Sequence, residues 1–256
     1  TDADAAPHFE RAVNAVRARP LVGDVPLVSD PPLSGGDGYW RNGFRIRGAP
    51  PPRPGHMDSA YLRWASPGYF HLLKVPLLRG RMLTDEDVRG RPLVLVVNAA
   101  FARTFFPLGD AVGQEIVVSW REQVPRRIVG VVGNLRQTAL EQDAAPQMYI
   151  PYFQSPIGYG TLLVRGPADE ATLAASVRDA VRSVDTEQPV FNVRPLATDV
   201  DAYLAALRDA MQGNRGQTVM IVPSKKLIVV RRAFDAVGDG ERFDAARLSA
   251  DIVAAL

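Results

Sequence analysis

The chain has 256 residues, 46% of them hydrophobic, with 30 basic against 28 acidic side chains and no cysteine. That apolar content suffices for a sizeable core in one large or two smaller domains, and the missing thiol excludes disulfides, zinc-thiolate sites and a cysteine nucleophile while permitting an oxidising compartment. The formal charge is only +2, and the basic residues, arginine except at Lys74, Lys225 and Lys226, are scattered among acids along the chain, which argues against nucleic-acid binding.

No run approaches the roughly 18 to 20 apolar residues that span a bilayer. The N-terminus TDADAAPHFE lacks a basic region followed by an apolar stretch, so the expectation is a soluble chain, compatible with an extramembrane segment between two membrane helices. His8 to Arg19 reads as an amphipathic helix with Phe9, Val13 and Val16 on one stripe, ended by Pro20. LVGDVPLVSD reads as a strand, PPLSGGDGYW and GAPPPRPGH as turns and extended loop, and FRIRG between them as a short strand.

SPGYFHLLKVPLLRGRMLTDED, from Ser66 to Asp87, combines helix and strand signals. Ser66 is placed to cap a helix that Pro67 opens, Tyr69, Phe70 and Leu73 share a face, and Pro76 stops it. PLLRGRML follows as a strand with a glycine at a bend, and Thr84 with Asp87 resembles a capping box that opens another turn. In PLVLVVNAAFARTFFP a buried strand leads into a helix capped by Asn98, with Phe101 and Phe105 stacked at i,i+4 and Pro107 as the stop; Phe70 and Phe105 are expected in the core. EIVVSW and RRIVGVVG are expected to pair antiparallel, because the link REQVP is too short for a crossover. QMYIPYFQ and TLLVRG read as strands, and Asp169 to Asp185 as a helix with Leu173, Val177, Val181 and Val184 on its stripe. PVFNVRPL reads as a further strand before the helix begun by DVDAYLAAL, an order suggesting a βαβ-type unit.

The search for chemistry yields no site. His8, His56 and His71 have no partner at metal-ligand spacing, GGDGYWRNG is a turn without the dinucleotide fingerprint, and Asp85, Glu86 and Asp87 are explained by helix-start charge. No phosphate-binding loop, G-x-S-x-G or H-E-x-x-H occurs. No catalytic, cofactor-binding or metal residue is assigned, and no cofactor.

Six stretches in order, PPLSGG (31–36), SPGYFHLLKVPLLRGR (66–81), VVNAAFARTFFP (96–107), DAVGQEI (110–116), IVGVVGNLR (128–136) and QMYIPYFQ (147–154), resemble the MacB-like periplasmic core domain of ABC transporter permeases whose membrane part is FtsX-like. The resemblance runs from about residue 9 to 207. It implies a mixed α/β (α+β) domain in two parts: a βαβ-rich membrane-proximal half over 1–43 and 135–208, and a β-rich half over 44–134 inserted between them. It further implies an extracytoplasmic, periplasmic segment of a bacterial inner-membrane protein. Its partners would be the parent permease's membrane helices, a separate ATPase domain or subunit, and periplasmic proteins or exported substrate; it would transmit ATP-driven movement and perform no bond chemistry.

The remainder, 209–256, departs from that pattern. QTVMIVP and KLIVVRR read as a hairpin around PSKK, and Asp244 starts a helix with Leu248, Ile252, Val253 and Leu256 on one side. This tail resembles the C-terminal end of serine hydrolases of the beta-lactamase and penicillin-binding class. The alternative function is therefore a fragment derived from such a hydrolase. The chain lacks S-x-x-K, however, and Ser224 beside Lys225 has the wrong spacing, so no activity is expected from it.

Overall fold

The computed structural model describes residues 2–20, 22–33, 41–50, 57–120, 123–135, 144–186, 190, 192–211, 218–222 and 227–231. In chain order these give α1 (Asp2–Arg17), β1 (Leu27–Val28), β2 (Arg41–Ile46), β3 (Ser59–Ala65), α2 (Tyr69–Leu72), β4 (Leu77–Gly80), β5 (Val94–Asn98) and α3 (Ala99–Phe105). There follow β6 (Glu115–Val118), β7 (Pro125–Val132), β8 (Gln147–Pro151), β9 (Thr161–Leu162), α4 (Glu170–Val184), α5 (Leu196–Met211), β10 (Thr218–Val222) and β11 (Leu227–Arg231).

Every residue of β5 and of β8 is buried. The two pair antiparallel in the middle of a nine-stranded sheet of order β2-β6-β7-β5-β8-β3-β1-β9, in which β4 also pairs β7 and β2 also pairs β3. Alternation along the strands gives this sheet two apolar sides. On one, Leu62, Trp64, Leu95, Val97, Met148 and Ile150 pack with Val13 and Val16 of α1, Phe101 of α3 and Val181 of α4. On the other, Val96, Val132 and Tyr149 pack with Tyr69, Phe70 and Leu72 of α2. A strand covered on both sides reads as a continuous apolar run, which is why VLVVN is legible from sequence.

The fold is mixed α/β, as expected. Asn98 caps α3, its side chain accepting a hydrogen bond from the Phe101 N–H at 2.9 Å, and β6 pairs antiparallel with β7. Asp169 caps α4 by accepting from the Thr172 N–H at 3.0 Å. The Phe101 and Phe105 rings lie 4.8 Å apart.

Five readings are corrected. Ser66 does not cap α2; the N-cap is Gly68, with φ +88°, and the buried Ser66 hydroxyl accepts from the Leu27 N–H at 2.7 Å, fastening β3 to β1. A partner 39 residues away has taken the hydroxyl that local spacing assigned to the helix. α1 starts at Asp2 rather than His8 and carries Pro7 within it. The strand expected of LVGDVPLVSD shrinks to Leu27–Val28. PVFNVRPL contributes no strand among its described residues, where Asn192 has φ +56°, and those residues close no βαβ unit. The parallel pairs are instead β5 with β7, whose connection contains α3, and β3 with β8. Finally, Phe105 is only half-buried, packed between Phe44 and Phe101, whereas Phe70 is 3% exposed.

Strands of the 44–134 stretch and of its flanks share the one sheet: β8 pairs with both β3 and β5. The sheet belongs to a unit running from Thr1 to Asp199; a second unit, Val200–Leu256, holds the antiparallel hairpin β10–β11, as QTVMIVP and KLIVVRR predict. The closing helix from Asp244, PSKK, His56 and most of the two proline–glycine loops lie outside the described residues.

Two backbone details show how the SPGYFHLLKVPLLRGR stretch is shaped. α2 ends in a Schellman motif: the Val75 N–H donates to the Phe70 carbonyl at 2.8 Å and the Lys74 N–H to His71 at 3.0 Å, with Lys74 at φ +57°, where glycine is usual. Gly80, at φ +72°, opposes Gly130, and a Cβ on Gly80 would stand 2.2 Å from the Val129 carbonyl oxygen. Only glycine permits that approach of β4 to β7.

Candidate interaction surface

The side chains weighed for chemistry in the sequence take structural partners. His71 Nδ1 lies 2.6 Å from Asp24 Oδ2 at the surface, and His8 Nδ1 lies 3.8 Å from Asp185 Oδ2. Among the described residues no group of three or more histidines and acids is placed to hold a metal ion. Within the acidic run, Asp87 is 6% exposed. It accepts two 2.7 Å hydrogen bonds from Arg81 and one of 2.9 Å from the Thr84 N–H. Burial pushes its carboxyl up, but the Arg81 hydrogen bonds and the Thr84 N–H outweigh this and hold it below the ordinary carboxylate range. Its role is to fasten the turn after β4: the Thr84–Asp87 pairing read from sequence forms, but no helix starts there, so the pair with Arg81 rather than helix-start charge accounts for Asp87.

A second set of polar groups is buried in the sheet, at the ends of β5 and β8 and in β3. The Asn98 carbonyl oxygen that caps the helix also accepts from the Gln147 N–H at 3.0 Å, while the Asn98 amide donates to the Ala145 carbonyl at 2.8 Å. The Tyr149 hydroxyl donates to the Gln147 side-chain oxygen, and burial raises that phenol well above its usual range. Arg63, fully buried in β3, donates to the Leu62 carbonyl at 3.3 Å and lies 3.8 Å from Asp30 Oδ2. Asn98 thereby ties the start of α3 to β8, and Arg63 ties β3 to the segment after β1.

The outward side of β2, β6 and β7 is different in kind. In β2, Phe44 points into the core, so the alternation turns Arg41, Gly43 and Arg45 outward, and exposed Arg47 continues the stripe. β2 pairs with β6 through Arg45↔Val117 and β6 with β7 through Glu115↔Arg127, which brings Arg127 onto the same side. Arg47 pairs with Glu115. Arg41 donates to the Ser59 hydroxyl at 2.8 Å and lies 5.8 Å from the centre of the Tyr61 ring. Met57, 57% exposed, sits beside Ser119 at the same side. Four arginines thus face solvent with one glutamate among them, and such an array can bind carboxylates or phosphates in bidentate fashion. Sequence reasoning missed it because Arg127 stands about eighty residues from β2 in the chain. The signal that was available is the alternation of RNGFRIR, which puts Phe44 and Ile46 on one side and the arginines on the other.

The chain is similar to several known proteins. The chain is 28% identical over 152 residues to an uncharacterized ABC transporter permease, YvrN, of Bacillus subtilis (strain 168), a span that covers 58% of this chain and 33% of that protein. The chain therefore spans about a third of the length of that relative. Among solved structures, the periplasmic region of MacB from Actinobacillus actinomycetemcomitans is similar at 17% identity and a TM-score of 0.48, covering 68% of this chain and 72% of that one. The extracellular domain of the noncanonic ABC-type transporter YknZ from Gram-positive bacteria is similar at 14% identity and a TM-score of 0.49, covering 72% and 86%. The MacB-like periplasmic core domain, as a sequence family, matches residues 4–187, most of the chain, and the protein belongs to that family.

Proposed function

We propose that this domain works as the extracytoplasmic part of an ABC transporter permease of the MacB/FtsX type. It transmits movement driven by ATP hydrolysis in a separate domain or subunit to the outer side of the membrane, and there contacts partner proteins or exported substrate. It performs no bond chemistry. The observation that carries this reading is the family match over 4–187. In the same reading, 44–134 is an inserted part whose flanks, 1–43 and 135–208, meet near the membrane. No helix among the described residues is long and apolar enough to cross a bilayer, so the membrane helices would be supplied by the rest of the permease.

The test is transport by the parent permease, reconstituted with its ATPase, after residues 4–187 are replaced by a flexible linker. ATP hydrolysis should persist while transport stops; undiminished transport would refute the reading. The alternative, a hydrolase-derived fragment, has in its favour only that the β10–β11 hairpin matches the strand pair expected of the tail. Turnover of a chromogenic beta-lactam that disappears in Ser224→Ala would establish it instead.

A further inference from the structure

We propose that the outer side of β2, β6 and β7 is the docking surface for an extended acidic segment of a partner protein. The surface concentrates the charge of the molecule: Arg41, Arg45, Arg47 and Arg127 stand there with Glu115 as the one acid of these strand positions, while the whole chain carries only +2. Neither Arg45 nor Arg127 makes an ion pair among the described residues, and neither is needed to neutralise a buried acid. Each is exposed on a strand whose opposite side is fixed by Phe44, Ile116 and Ile128 in the core, so the guanidinium groups project from a rigid base.

The spacing selects the occupant. Side chains two apart on β2 stand about 7 Å from one another, which is also the repeat of alternate side chains in any extended peptide. An extended segment with acids two positions apart can therefore set carboxylates against Arg45 and Arg47, and further along against Arg41, the position between being Gly43 with Met57 lying over it. The neighbouring side chains agree with a protein partner: Arg, Tyr and Met are enriched at protein interfaces and Lys is depleted, and this surface presents four arginines, Tyr61 and Met57 but no lysine. A second copy is disfavoured, because a two-fold contact would set the arginines of one copy against those of the other.

The inference deepens the proposed function by giving the partner contact a place and a charge. Its binding test is separate from the transport test above, so either can fail alone. The probe is a capped, labelled peptide of alternating glutamate and serine, titrated with the 256-residue chain and followed by fluorescence anisotropy. Binding should weaken at least about tenfold when Arg45→Glu and Arg127→Glu are combined, and should fade as salt rises. An alternating lysine and serine peptide should not bind. The neutral pair Arg45→Gln with Arg127→Gln provides the same comparison if charge reversal disturbs folding. Absence of binding by the acidic peptide, or equal binding by the variants, would overturn the proposal. So would sedimentation of the chain with phosphatidylglycerol vesicles that depends on the same arginines while the peptide fails to bind, since the surface would then recognise a membrane.

Discussion

Successive residues of β2 and β6 live in opposite environments. Phe44, Ile116 and Val118 are at most 2% exposed and pack in the main core, while Arg45, on the next position of β2, faces solvent with Arg41 and Arg47 to either side. An inward residue is held by contacts from several elements, so changing it costs stability; an outward arginine touches little that the fold requires, so changing it alters only what can bind. The same strands therefore separate what holds the domain together from what it can present to a partner, and substitutions of both kinds test how clean that separation is.

The largest effect should fall on the inner positions. Phe70→Ala and Phe101→Ala, both at fully packed rings, should each cost about 3 to 5 kcal/mol in urea melts, with Phe105→Ala below them because that ring is half-exposed. A loss below about 1 kcal/mol at Phe70 would show that the second side of the sheet is not packed. Asp87→Asn comes next, at about 1.5 to 3 kcal/mol, the range for hydrogen bonds to a charged group. Because the folded-state pKa of Asp87 is lowered, its stabilisation is present above the ordinary carboxylate range and is lost as pH falls through the folded value. Melting temperatures followed into acid should therefore converge for the parent chain and the Asn variant; a constant gap would deny the carboxylate its role. Lys74→Gly should act in the other direction, raising stability by about 1 kcal/mol, since a non-glycine residue now occupies the left-handed position at the end of α2. The outer arginines come last: Arg45→Glu with Arg127→Glu should shift stability by no more than about 0.5 kcal/mol.

What the sequence revealed follows the same division between near and distant partners. Asn98, Asp169, the bend at Gly80 and the β10–β11 hairpin were legible because each depends on neighbours within a few residues. Ser66 was misread because its partner is Leu27, brought close by the β1–β3 pairing. β3 escaped notice altogether: Arg63 interrupts its apolar run, and its burial depends on β8 and β1 lying to either side. The arginine surface needed both the alternation of β2 and the pairings of β6 with its neighbours, and no local pattern contains the second of these. The opposite error occurred at PVFNVRPL, whose alternation suggests a strand although its described residues pair with none.

The most direct measurement joins the two sides of these strands in one protein: transport by the parent permease carrying Arg45→Glu and Arg127→Glu, set beside thermal melts of the 256-residue chain with the same changes. The expected result is transport lost and a melting temperature unchanged. Transport that survives, or a melt that collapses with it, would contradict the division between a core-forming inner side and a partner-facing outer one.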